Sequence, residues 1–325
     1  MRSRRIGWLA VPVVAVALMA FAGCPSISDP WEGQAGKHVL ASFAPIYCFA
    51  QNVAGPDAAV KIVSADQGPH GFNPTPHDIM LVKRADLFVI SGLELDDAIA
   101  KRMIGGADNK SVKLVEAASA IPVKELREGE KDEDDKDKGE EEHHHHGKYD
   151  PHVWLGVPEA VKMVGKIRDS LKEIDPVHAG GYDNRAAAYV AKLEQLQKDG
   201  KEMLKDKKQR KLVTFHDSMG YFARGFDLEI VDCIEIAPGV EPSGKKIQQL
   251  IKVCQEHQIR LIGVEPQYPS NTSAQVLLTE LKNKGINATF VELDPLETAK
   301  PADLTPEFYE RKMRENLKNL AEAMK

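Results

Sequence analysis

From residue 38 onward, short apolar runs alternate with longer stretches in which apolar residues return every three or four positions. The runs at 39–43, 60–63, 87–90 and 112–115 are mostly apolar, broken only by Ser42, Lys61 and Lys113, and read as buried strands. Helical periodicity falls between them, for instance over 93–103. Strands separated by helices pair in parallel, with helices on both faces of the sheet.

The same alternation returns in the second half. Residues 212–215 form a strand ending at His216, 229–236 another, and 259–264 and 288–293 the last two. A helix over 245–257 lies among them, and the tail from 306 to 325 reads as a terminal helix. Between the halves the chain is helix-rich. Asp175-Pro176 looks like the cap and first turn of a long helix. From Tyr182 to Lys207 there is no proline and one glycine, Gly200, and Tyr189, Leu193, Leu196 and Met203 recur at near-helical spacing. At 1.5 Å per residue such a helix runs about 40 Å, enough to cross between two lobes. The expected fold class is α/β: two doubly wound lobes with central parallel sheets, joined by one long rigid helix. At 325 residues the chain can bury one large core or two modest ones, and two are expected.

Two stretches break the pattern. Arg2, Arg4 and Arg5 precede an apolar run over 6–21 that ends in Ala22-Gly23-Cys24. This is a basic head, an apolar stretch and small residues before a cleavage point, hence a signal peptide over 1–24. The run is short for a membrane span. A cysteine after Ala-Gly resembles a bacterial lipoprotein box, with Phe21 where that box usually has Leu, so lipidation is expected at Cys24. Either cleavage places the mature chain outside the cytoplasm. Residues 25–36 read as a tether, 37–157 as the N-terminal lobe, 158–208 as a helical region with the linking helix, and 209–325 as the C-terminal lobe. The second break is an insert at 124–148, where eleven acidic residues stand against six basic ones. Almost without apolar residues, it cannot bury a core and reads as a disordered loop.

Hydrophobic content of 42% and charged content of 28% fit a soluble globular protein. The net charge of −6 argues against nucleic acid as a partner. Beyond Cys24 the cysteines are Cys48, Cys233 and Cys254. The sequence leaves a Cys233–Cys254 bridge and free thiols as equal alternatives, since it does not give their separation.

The chemistry-bearing residues are histidines. His143, His144, His145 and His146 stand together inside the acidic insert and read as a loose zinc-collecting loop. An expression tag would sit at a terminus. Elsewhere His70 lies in a proline- and glycine-rich loop after the second strand, His152 in the Asp150-Pro151-His152 turn, and His216 at the end of a strand. Asp294 closes the last strand before Pro295. In doubly wound domains the carboxyl ends of strands face the ligand crevice, so two positions from each lobe would meet in the inter-lobe cleft. Three imidazoles and one carboxylate complete a tetrahedral shell for Zn²⁺. Glu265 reads as a structural hydrogen-bonding residue, and Trp154 as a packing wedge beside His152.

Several segments in order carry a resemblance over nearly everything from residue 38 to the C-terminus. They are Pro69-His70 followed by Pro74-Thr75-Pro76, then Asp150-Pro151-His152-Val153-Trp154-Leu155, Phe215-His216-Asp217 with Gly220-Tyr221-Phe222, Val264-Glu265-Pro266-Gln267, and Asp294-Pro295-Leu296. The chain resembles the metal-binding proteins of bacterial ABC importers, specifically the zinc-type (ZnuA-type) members of the manganese/zinc group. The resemblance implies that His70, His152 and His216 are metal ligands, with Asp294 in or near the fourth position. Manganese and iron members usually place Glu where His216 stands, so histidine there implies zinc; a nitrogen-rich shell also suits zinc better than manganese. Asn73 departs from the acidic residue that many relatives carry before Pro-Thr-Pro.

The expected function is therefore extracytoplasmic zinc binding and delivery to an ABC-type membrane permease, by a monomer with zinc as cargo and no enzymatic activity. Alternatives are a manganese- or iron-binding importer component, an adhesin-type surface lipoprotein of the same fold, and a zinc hydrolase. A hydrolase would keep an open coordination position, and no His-Glu-x-x-His helix is present.

Overall fold

The computed structural model describes residues 29–123, 149–235, 241–267 and 272–324. The first lobe contains β1 (Lys37–Ala41), α1 (Ala44–Ala54), β2 (Ala58–Ile62), α2 (Pro76–Lys83), β3 (Leu87–Ile90), α3 (Asp97–Ala107) and β4 (Lys113–Glu116). Two helices come next, α4 (Val157–Ile174) and α5 (Ala179–Leu204). The second lobe contains β5 (Lys211–His216), α6 (Gly220–Gly225), β6 (Glu229–Glu235), α7 (Gly244–Glu256), β7 (Leu261–Val264), α8 (Thr272–Asn283), β8 (Thr289–Glu292) and α9 (Phe308–Ala323). Local signals set several helix starts. Thr75 caps α2 in a capping box with Asp78, followed by Pro76, and Ser243 caps α7 by accepting from the Lys246 N–H.

Each lobe holds one parallel four-stranded sheet, ordered β2-β1-β3-β4 and β6-β5-β7-β8. The two orders are the same topology repeated. In each, the strand order reverses between the first and third strands of the lobe, and ligand crevices form outside the carboxyl ends there. His216 ends β5 and Glu265 directly follows β7, on either side of that point.

The apolar runs are explained by burial on both faces. In β1, Val39 and Ala41 enter a central cluster while Leu40 enters an outer one; in β3, Leu87 and Val89 face inward while Phe88 and Ile90 face outward. The second sheet does likewise, with Leu212 and Leu261 inward and Val213, Phe215 and Ile262 under α7 and α8.

The expectation of two separate cores is corrected. The central cluster is continuous from Val39 and Phe49 through Ile167 and Leu193 to Phe226, Val291 and Leu317. The inner faces of both sheets share it with α1, α4, α5 and α9. The 26 residues of α5 extend about 39 Å. Near its start, the Arg185 guanidinium donates to the carbonyls of Val53 and Ala54 at 2.8 and 2.9 Å and pairs with Asp57 at 2.6 Å. Near its end, Gly200 lies against Phe226 and Leu317 of the second lobe. One helix thus braces both lobes over a common core.

One further expectation changes, and one open alternative is decided. Trp31, read as part of a tether, is 1% exposed; its indole N–H donates to Leu81 O at 2.9 Å and its ring stacks on His38. Cys233 and Cys254 are both buried and are not joined in a disulfide. Ile234 shares the outer cluster with Cys254, so its neighbour Cys233 projects from the opposite face of the sheet. The signal segment with Cys24 and the insert with His143, His144, His145 and His146 lie outside the described residues. Among the described residues no helix is long and apolar enough to cross a membrane.

Candidate metal site

Four side chains converge between the lobes: His70, His152, His216 and Glu297, with their ligand atoms all within 4.8 Å of one another. His70 comes from the turn after β2, where Gly68 adopts a left-handed φ of +68°. His152 precedes the short 3₁₀ turn Val153–Leu155, and His216 ends β5. Glu297 stands in the loop after β8. The first and last loops touch across the cleft. The Ala299 N–H donates to Ala65 O at 2.6 Å, and Glu297 packs over Gly68.

The spacing is that of a coordination shell. His70 Nε2 lies 3.2 Å from His152 Nε2 and 3.1 Å from Glu297 Oε1. His152 Nε2 lies 3.3 Å from Glu297 Oε1, and His216 Nε2 is 3.5 Å from His152 Nε2 and 3.6 Å from Glu297 Oε1. Ligands about 2.0–2.1 Å from a tetrahedral Zn²⁺ stand about 3.3–3.4 Å apart. Those five separations lie close to that figure, and the sixth, between His70 and His216, is within 4.8 Å.

Carboxylates behind the rings fix their orientation. Asp150 Oδ1 accepts from His152 Nδ1 at 2.8 Å and from the His152 backbone N–H at 2.9 Å. Glu265 Oε1 accepts from His216 Nδ1, and Gln267 holds the other Glu265 oxygen at 2.9 Å. With Nδ1 engaged, Nε2 is the ring nitrogen left to face the centre, where it can bind a metal once its proton is displaced. Burial by itself lowers the affinity of both rings for a proton. In His152, hydrogen bonds to Asp150 and Glu297 overcome it and lift the pKa to about 9; in His216, the charge of Glu265 does so, to about 10. Burial would raise Glu297, but the charge of His70 and hydrogen bonds from the three rings hold it well below the usual carboxylate range.

The three sequence-predicted histidines come together; Asp294 does not join them. Its Oδ1 accepts from the Leu296 N–H at 2.8 Å and its Oδ2 pairs with Lys312 at 3.1 Å. Its backbone is held on both sides by Asn316 at 2.8 Å. Glu297 takes the fourth position. Leu296 enters the left-handed region at φ 63°, and at this turn the carboxylate of the next residue, Glu297, three residues beyond Asp294, faces the rings. The sequence offers two acidic residues in one loop, and only the turn decides between them.

Residues 39–323 match the family model described as the periplasmic zinc-uptake complex component A, ZnuA. The chain belongs to the ZnuA family. Zinc-binding lipoprotein AdcA of Streptococcus pneumoniae strain R6 is 31% identical over 322 residues, covering 98% of this chain and 60% of the relative. The chain thus spans about three-fifths of that relative's length. High-affinity zinc uptake system protein ZnuA of Bacillus subtilis is 30% identical over 283 residues, covering 85% of this chain and 86% of the relative. Among solved structures, the Zn(II)-bound AdcAII E280Q variant of S. pneumoniae superposes with a TM-score of 0.73 at 26% identity, covering 89% of this chain and 99% of that one. The two-lobe α/β architecture is that of the ZnuA family.

Proposed function

We propose that this ZnuA-family protein binds Zn²⁺ outside the cytoplasm through His70, His152, His216 and Glu297 and delivers it to an ABC-type permease. The carrying observation is the clustering of three imidazole nitrogens and one carboxylate oxygen at the separations a tetrahedral ion needs. Three nitrogen donors and one oxygen favour zinc over manganese. The names of the pneumococcal and B. subtilis relatives support the same reading. Four side chains close the shell, as in a carrier; a catalytic zinc keeps a position open for water. The lipoprotein name of the pneumococcal relative supports anchoring through Cys24. The clustered histidines of the insert are the proposed weak collector.

The shared core dictates the mode of release. Wide lobe opening would tear apart the central cluster, so the ion leaves by movement of the loops carrying His70 and Glu297. His70 has the most exposed side chain of the four, at 15% against 7% or less, and marks the exit. Calorimetric titration of metal-stripped protein tests the binding. Tight one-to-one zinc binding abolished by His216→Ala is the expected result. Weak binding, or binding indifferent to that change, overturns it.

A further inference from the structure

Trp154 looks like a packing residue. It is fully buried, stands edge-on to His152 with ring centroids 5.2 Å apart, and meets Phe43 at 4.8 Å. Its polar atoms have a more specific arrangement. The indole N–H donates to Pro295 O at 2.8 Å, across 141 residues of chain, and the Trp154 carbonyl accepts from Tyr309 OH at 2.6 Å. Pro295 O belongs to the peptide unit whose N–H is that of Leu296, and this N–H donates to Asp294 Oδ1 at 2.8 Å. The Pro295–Leu296 peptide is therefore gripped at both poles, its C=O by Trp154 and its N–H by Asp294.

The grip constrains a strained residue. Leu296 has φ 63°, a conformation an L-residue holds only under outside constraint. Rotating the peptide by half a turn would carry Leu296 to negative φ and relieve the strain. It would also break both hydrogen bonds, and with them the constraint that fixes the turn from which the next residue, Glu297, emerges. We infer that Trp154 is a positioning residue of the metal site: its indole N–H locks the Pro295–Leu296 peptide and so aims the Glu297 carboxylate at His70, His152 and His216. The inference rests on the zinc-binding function proposed for these four side chains. Trp154 is thus tied to two ligands, by sequence adjacency to His152 and by this hydrogen bond to the turn of Glu297.

The test is a double-mutant cycle on the full chain, with zinc affinity read by competition against a chromophoric chelator. Trp154→Phe keeps an aromatic ring beside His152 and removes the N–H. Zinc affinity should fall about 10–100-fold in the otherwise unaltered protein, as for other groups that orient ligands. In a Glu297→Gln background the same change should alter affinity less than about twofold, because its target is gone. Equal losses in both backgrounds, or none in the first, overturn the inference. If Glu297→Gln alone binds zinc as the unaltered protein does, the ligand set itself is wrong, a separate failure. Should Trp154→Phe not fold, hydrogen exchange of the ¹⁵N-labelled Trp154 indole in the unaltered protein replaces it. Zinc should slow that exchange in the unaltered protein and leave it unchanged in Glu297→Gln; an indole indifferent to zinc in both overturns the inference.

Discussion

Glu265 stands behind His216 with its Oε1 on the ring Nδ1, both side chains almost fully buried, so that the strand-end imidazole can turn only its Nε2 toward the cleft. The two residues lie at the ends of neighbouring strands, β5 and β7, and meet where the strand order of the second lobe reverses. Glu265→Ala would leave the His216 ring free to rotate and without a proton acceptor. Zinc affinity is expected to fall about 10–100-fold. Glu265→Gln keeps an acceptor oxygen and loses the charge, so its loss should be smaller. Titration of both variants checks the order; an alanine variant that binds like the original protein would remove Glu265 from the site.

Glu297 and Asp294 are separable by substitution. Glu297→Gln removes the anionic ligand and is expected to weaken zinc binding by at least about tenfold. Asp294→Asn retains an oxygen for the Leu296 N–H and loses the pairing with Lys312, a largely buried ion pair. Leaving Lys312 without its partner costs stability but touches none of the four clustered side chains, so zinc affinity should stay within about fivefold. The reverse ranking in a competition assay would restore Asp294 as the ligand.

Features with local determinants were legible in the sequence, and those set by distant partners were not. The β strands could be read because both faces of each sheet are buried, which leaves uninterrupted apolar runs such as Leu87–Ile90. The long helix could be read because proline is absent across it. His70, His152 and His216 could be picked out because each sits in a loop or strand end that faces a crevice. The fourth ligand could not, since choosing Glu297 over Asp294 depends on a left-handed Leu296 and on partners as remote as Asn316 and Trp154. The shared core was hidden for a similar reason. Apolar spacing shows that a face is buried and says nothing about what covers it, so Phe49 and Leu317 gave no sign of entering one cluster. The burial of Trp31 likewise depends on Leu81 and His38, which its own segment does not reveal.

Proton release should accompany zinc binding. Histidine normally titrates near 6.5. Here His152 and His216 are raised to about 9 and about 10, so at pH 7 both carry protons that zinc must displace. About two protons should be released per ion at pH 7, with the binding constant rising as pH increases toward 9. Calorimetry in two buffers of different ionisation enthalpy measures this directly, and a release near zero would show the rings already neutral. The same shifts bear on metal-free stability. A folded pKa above the unfolded value contributes stability that is fully present below about 6.5 and is lost as pH rises through 9 and 10. Metal-free protein should therefore lose stability across that window, whereas the zinc-loaded form, whose rings hold no displaceable proton, should lose less.

Gly200 offers a test of the shared core. Helix propensity alone says that alanine at a mid-helix glycine should stabilise by up to about 1 kcal/mol. Gly200 is buried in α5, though, where a Cβ would collide with the Phe226 ring and come within 2.7 Å of Leu317 Cδ1. Both neighbours belong to the central cluster, and Phe226 packs in turn on Phe222. Overpacking a dense core costs about 1–3 kcal/mol, which exceeds the propensity gain. Gly200→Ala should destabilise the metal-free protein by a net of about 1–2 kcal/mol, read as a lower urea midpoint at unchanged slope. Zinc affinity should hardly change, because the collision lies near the end of α5 rather than at the ligands. If the variant were instead more stable, the contact of α5 with the second lobe would have to be looser than the packing around Gly200 implies, and wide lobe opening would become a feasible route for the ion.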